Sequence, residues 1–165
     1  MRRHLLAVLA LPANVLGTIP ALILWRADGP VAPPPLALST ALGLLAAAVG
    51  LALMVATIRL FVRVGHGTLA PWDPTERLVV RGPYRWVRNP MISGVLFVLL
   101  GEALLLRSEG ILAWWALFFL ANAIYLPLSE EPGLERRFGE DYRRYRRAVP
   151  RWIPRLSPVP PSPAE

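Results

Sequence analysis

The chain has 165 residues, 55% of them hydrophobic, and a formal net charge of +7 carried by 18 basic residues that are all arginine. So apolar a composition excludes an ordinary soluble domain and points to a membrane protein. There is no cysteine, which excludes disulfides, thiolate zinc sites and a cysteine nucleophile, and His4 and His66 are too few for a histidine metal site, so no metal is expected.

Four apolar segments follow one another: Leu5 to Trp25, Leu36 to Ile58, Met91 to Leu106 and Ile111 to Leu128. The first opens like a secretory signal, with Arg2 and Arg3 before an apolar run. That run outlasts the about 7–15 residues of a signal core, so it reads as a retained helix. Pro12, Asn14 and Pro20 interrupt it. The second is free of charge. A span needs about 20 residues, at about 1.5 Å each, to cross about 30 Å of hydrocarbon. The first two segments reach that length and the third is short. Pro90 suits the first turn of a helix, where a missing N–H costs nothing. Residues 107–110, RSEG, are a tight link, so the third and fourth segments are expected to form an antiparallel helical hairpin.

Between the second and third segments lies GHGTLAPWDPTERLVVRGPY, an ordered loop with little helix by its Gly and Pro content. After the fourth, Leu134, Phe138, Tyr142, Tyr145 and Val149 fall at helical spacing with arginines between them, an amphipathic helix weakened by Gly139. The stretch SPVPPSP reads as a flexible end. The fold class is therefore all-α: a polytopic membrane protein of about four transmembrane helices, including a C-terminal helical hairpin, with a cytoplasmic loop and an amphipathic C-terminal helix. Residues 1–154 are read as one membrane-embedded domain, with a helix pair over 1–60 and a core over 61–154; residues 155–165 are read as a free Pro-rich tail.

Arginine sets the orientation. It gathers at Arg2 and Arg3, at Arg59 to Arg88, and at Arg136 to Arg155, whereas the links at Arg26 and Arg107 carry one each beside an acid. Both termini and the 59–90 loop are therefore expected on the cytoplasmic side of an inner (plasma) membrane, here that of a bacterium. The charge lies beside apolar segments and no nucleic-acid reader motif is present, so membrane lipids are the expected contact and nucleic acid is not. Trp72, Trp86, Trp114, Trp115 and Trp152 read as interfacial belt residues. Glu102, inside the third segment, reads as snorkelling outward.

Glu130 and Glu131 directly follow the fourth apolar segment. Acids at a helix C-terminus oppose the macrodipole and repel each other near hydrocarbon. Arginine would be the easier choice there, so the acids point to function, with Arg88 or an ammonium ligand as partner.

These motifs resemble the family of integral-membrane methyltransferases that includes isoprenylcysteine carboxyl methyltransferase and phospholipid N-methyltransferases. The likeness rests on GHG at 65–67, GPYRWVRNP at 82–90, Gly94, the acids at 130–131 and FGEDYRRYRRAVPRWIP at 138–154. The resemblance implies binding of S-adenosylmethionine in a cytoplasm-facing pocket by Gly65, His66, Gly67, Tyr84, Arg88, Asn89, Pro90, Gly94, Glu130, Glu131, Tyr142 and Tyr145. It puts Arg88 and Glu131 at the reaction itself. Taken alone, His66 would read as a surface residue. Asn89 stands where the family usually has His, and Ile92 where it has Tyr, which removes one hydroxyl.

The implied function is methyl transfer to a lipophilic or lipid-modified acceptor, with an isoprenylcysteine-like carboxylate in first place. Such a carboxylate needs no base. A phospholipid amine, the alternative, must first lose a proton. A rival of another class is a non-catalytic protein that gathers anionic lipid or a partner on its Arg-rich tail. No oligomeric state follows from the sequence.

Overall fold

The computed structural model describes residues 12–27, 38–64 and 78–160, and these are helical or irregular, with no strand among them. Gly65, His66, Gly67 and Trp72 lie outside the described residues, as do Arg2 and Arg3. We label the helices α1 (Ile19–Ala27), α2 (Leu38–Val64), α3 (Pro90–Leu106), α4 (Glu109–Tyr125) and α5 (Glu131–Ala148). A short 3-10 turn covers Gly82–Arg85.

Two π-turns interrupt the helical runs, Asn14–Thr18 before α1 and Leu126–Glu130 between α4 and α5. Each has a proline two residues past its end, Pro20 and Pro132. A proline ring collides with the carbonyl four residues back and brings no N–H, so the turn widens to the next register. Ile19 N–H accordingly bonds Asn14 O, and Glu131 N–H bonds Leu126 O.

Two helices are long and apolar enough to cross a membrane, Leu38–Leu60 and the continuous run Glu109–Ala148; Pro90–Leu106 is a shorter apolar helix. The apolar half of the second run, Glu109 to Leu128, has about 20 residues, enough at about 1.5 Å each to cross about 30 Å of hydrocarbon. Only 22% and 11% of the most apolar windows of these helices are buried. Leu42, Leu45 and Leu51 on α2, and Leu117, Leu120 and Ile124 on α4, stay exposed. Apolar side chains facing outward all along a helix suit lipid rather than a soluble core. α2 continues past Ile58 to Val64 and carries Arg59 and Arg63, which the sequence had placed in the loop.

The described residues group into two compact units, one drawing on the chain up to Ala52 and on Gly94–Ala121, the other on Leu53–Ser93 and the chain from Asn122 onward. In the first, α2 and α3 pack antiparallel at glycine contacts. A Cβ at Gly50 would lie 2.6 Å from Gly94 O and 2.7 Å from Val98 N, and one at Gly101 would lie 2.7 Å from Gly43 O. The contact repeats at seven-residue spacing on both helices, so the backbones touch over two turns. Leu99 and Ile111 are fully buried in this unit.

The Trp114 indole Nε1 donates to Val15 O across 3.1 Å. In the wide register that carbonyl would look to residue 20, and Pro20 has no N–H to give. Glu102, half-buried on α3, has its Oε2 buried without a hydrogen-bond partner among the described residues.

In the second unit, Val80, Tyr142, Tyr145, Val149 and Val159 form the apolar core, with Leu78, Leu134, Phe138 and Ala148 packed against it. α5 is broken inside at Gly139, whose φ of 54° and ψ of −125° belong to no helix. The backbone turns there and lets the next stretch lay Tyr142 and Tyr145 inward, a conformation open to glycine alone at small cost. Arg155 N–H bonds Trp86 O and Val159 N–H bonds Arg85 O, so residues 155–159 are tied down and the free tail expected from 155 onward does not describe them.

Candidate functional site

The site grows from the turn at 81–90. Gly82 has a φ of 53°, which favours glycine, and Pro83, the second residue of the 3-10 turn, has its φ preset for it. Trp86 N–H closes the turn on Pro83 O at 3.0 Å. Pro90 then opens α3, where its missing N–H is no loss, and is fully buried.

Residues 150–159 return along this turn as an antiparallel strap. Arg88 N–H donates to Pro150 O at 2.9 Å, Arg155 N–H to Trp86 O at 3.0 Å and Val159 N–H to Arg85 O at 3.1 Å. The Arg85 side chain adds Nε to Val159 O at 2.6 Å. Arg155 Nη1 donates to Ala148 O, and Tyr145 OH donates to Tyr84 O at 2.8 Å. Main-chain groups that helix and sheet leave unpaired are therefore satisfied between two irregular segments.

At the centre stands Glu131, turned inward by the π-turn just before it. Its side chain is 6% exposed. Arg88 Nη1 donates to Oε1 at 2.9 Å, Arg151 Nε to the same oxygen at 2.7 Å, and Arg151 Nη2 to Oε2 at 3.0 Å. Burial pushes the Glu131 carboxyl up, but the Arg151 hydrogen bond and the charges of Arg88, Arg151 and Arg146 outweigh it, and the net shift is downward. The group is a fixed carboxylate.

Glu130 differs. Among the described residues it makes no hydrogen bond and no ion pair. Burial, and then the charge of Glu131, raise its carboxyl above the usual range. Tyr84, Tyr142 and Tyr145 lie close by, their hydroxyls pushed up chiefly by burial, and the ring centroids of Tyr142 and Tyr145 are 6.2 Å apart. These phenols stay neutral at physiological pH.

Three buried donors in the site have no partner among the described residues: Arg88 Nε, Asn89 Nδ2 and Ser93 Oγ. Asn89 and Ser93 are one turn apart, joined by Ser93 N–H to Asn89 O at 3.0 Å. Buried polar atoms are nearly always satisfied, so each of these orphan donors is open to an acceptor on a ligand or to water.

Of the residues singled out in the sequence, Arg88 meets Glu131, Tyr145 meets Tyr84, and the Tyr142 and Tyr145 rings are neighbours, with Glu130 near Glu131 and Tyr84; Asn89 and Pro90 follow Arg88 in the chain. Gly94 has its carbonyl against Gly50 in the helix contact described above. Two site residues escaped the sequence reading. Arg151 was hidden in an arginine-rich tail where residue type discriminates nothing. Ser93 carried a legible signal, a lone hydroxyl one turn after Asn89 at the start of an apolar run. No group of three or more His, Asp or Glu able to hold a metal occurs among the described residues.

A family model described as phospholipid methyltransferase matches residues 38–141. The match includes the 82–90 turn and both acids and stops before Tyr142, Tyr145 and Arg151. Searches of curated proteins and of solved structures gave no match.

Proposed function

This chain belongs to the phospholipid methyltransferase family, and on that premise we propose that it transfers a methyl group from S-adenosylmethionine to a lipophilic acceptor at the cytoplasmic face of a membrane. The observation that carries the reading is the Arg88–Glu131 ion pair at 2.9 Å. It joins the Arg-Asn-Pro corner to the paired acids in one buried cluster that still has unused donors.

The residues present fit the cofactor. Arg88 Nε, Asn89 Nδ2 and Ser93 Oγ can donate to its carboxylate and hydroxyls, and Arg offers the planar donor set that a carboxylate prefers. Glu130, unpaired, suits a cationic group. The Tyr142 face suits an adenine or a positive sulfur. When bound, S-adenosylmethionine supplies an electrophilic methyl carbon. The protein's own contribution is to hold donor and acceptor in line and to keep water out.

Glu131 is committed to two arginines, so Glu130 is the acid left for a proton or a cation. This favours an amine acceptor over the isoprenylcysteine-like carboxylate that the sequence put first. An ammonium must lose a proton before attack, and a raised carboxyl beside it takes that proton more readily. The rival role as a passive lipid-gathering protein leaves the buried clamp and the orphan donors without a purpose.

Calorimetry in detergent with S-adenosylhomocysteine tests the reading: binding to the folded wild-type protein is expected, and its absence removes the enzyme reading. Labelled methyl donor added to native membranes then identifies the acceptor. Label in a phospholipid headgroup supports the amine, and base-labile label in a carboxyl ester supports the carboxylate.

A further inference from the structure

The strap does not need Arg151 to stay attached. Its backbone is held at Pro150 O, Arg155 N and Val159 N, the Arg85 side chain grips Val159 O, and Val149 and Val159 are buried. Yet Arg151 spends two donors on Glu131, one on each oxygen. It also follows directly on Pro150, whose carbonyl holds the Arg88 N–H. Arg88 is thus pinned at its main chain by one residue of the strap and at its guanidinium, through Glu131, by the next.

We propose that Arg151 is a positioning residue: by fixing both oxygens of Glu131 it holds the Arg88 guanidinium that bonds the same carboxylate, and so keeps the unpartnered Arg88 Nε in place for the anionic end of a ligand. The identity of that ligand rests on the methyltransferase reading; the holding of Arg88 does not. Two guanidiniums on one carboxylate also leave one positive charge in excess, which suits a carboxylate guest. A planar fork holds both oxygens at once, so lysine at 151 would keep the charge and lose the orientation.

The test uses the full chain in detergent and the variants Arg151→Gln, Arg151→Lys, Glu131→Gln and the double variant Glu131→Gln/Arg151→Gln. Three quantities are read: S-adenosylhomocysteine affinity, hydrogen exchange at the Arg155 and Val159 amides, and the exchange rate of the Arg88 Nε–H by nitrogen-15 spectroscopy. Arg151→Gln is expected to weaken binding tenfold or more and to speed Arg88 Nε–H exchange, with both strap amides still protected. Arg151→Lys should recover part of the affinity, and the double variant should bind no worse than Glu131→Gln alone. Wild-type affinity in Arg151→Gln, or a loss that appears only together with lost strap protection, overturns the proposal. If the wild-type protein binds no S-adenosylhomocysteine, the methyltransferase reading falls, and the Arg88 Nε–H rate alone decides: a rate unchanged by Arg151→Gln sinks the positioning role.

Discussion

Arg88 and Glu131 are 43 residues apart in the chain and 2.9 Å apart in the fold. A buried pair of this kind is a poor source of net stability but is costly to break one partner at a time. Such a pair is kept for where it holds its groups, and here it joins an irregular turn to the first residue of α5.

The two acids should respond to pH in opposite senses. Glu131 has a lowered folded value, so its contribution is complete above the ordinary glutamate value of about 4.3 and is lost as pH falls through the folded value. Glu131→Gln should cost about 3 kcal/mol at neutral pH, a difference that shrinks under acid. Glu130 has a raised folded value, so its charge is a burden above that value and none below about 4.3. Glu130→Gln should therefore be neutral or stabilising at pH 7 while impairing methyl transfer. Thermal unfolding across pH, beside activity, checks both signs; a destabilised Glu130→Gln at pH 7 would contradict this account.

Gly139 is required by its backbone angles and not by space, since an added Cβ meets nothing within 4 Å. Gly139→Ala should cost about 1–2 kcal/mol through strain alone. If alanine there raises the melting temperature instead, the break in α5 is not part of the native state.

Gly50 is the opposite case, with backbone atoms at 2.6 and 2.7 Å from a Cβ. Gly50→Ala must push α2 and α3 apart and should cost about 1–3 kcal/mol. Gly17→Ala, with nothing within 4 Å, is the control and should be neutral or mildly stabilising. Equal effects at the two positions would refute the close helix contact.

Trp114→Phe removes the donor to Val15 O and should cost about 1–2 kcal/mol. Pro20→Ala restores a backbone N–H two residues after the π-turn, so the loss from Trp114→Phe should be smaller in that background. Additive effects of the two changes would show that the indole is not replacing the proline's missing donor.

Much of this was legible in the chain. Pro90 at the head of α3 and the tight link now seen at Arg107 and Ser108 express local rules of helix start and turn. Leu134, Phe138, Tyr142, Tyr145 and Val149 do pack into one apolar cluster, but not on one unbroken helix, since the chain breaks at Gly139 and Val149 is already extended. The π-turns were not legible as such: Pro20 and Pro132 announced a disturbance, but a kink, a break and a widened turn share that signal. Arg151 was invisible for another reason. Its role depends on which of several like residues meets one acid, and that is settled by the return of the strap, a contact between distant segments.

The strap also sets an order of events during synthesis. The segment carrying Arg88 leaves the ribosome long before residues 150–159 do, and until they arrive its guanidinium has neither the Pro150 carbonyl at its main chain nor the full set of bonds around Glu131. Closing so long a loop is slow compared with forming a helix. Until residues 150–159 arrive, Arg88 and Glu131 have only each other, and Glu131 Oε2 still lacks the donor that Arg151 brings, so the last residues to be made are the ones that complete the cluster.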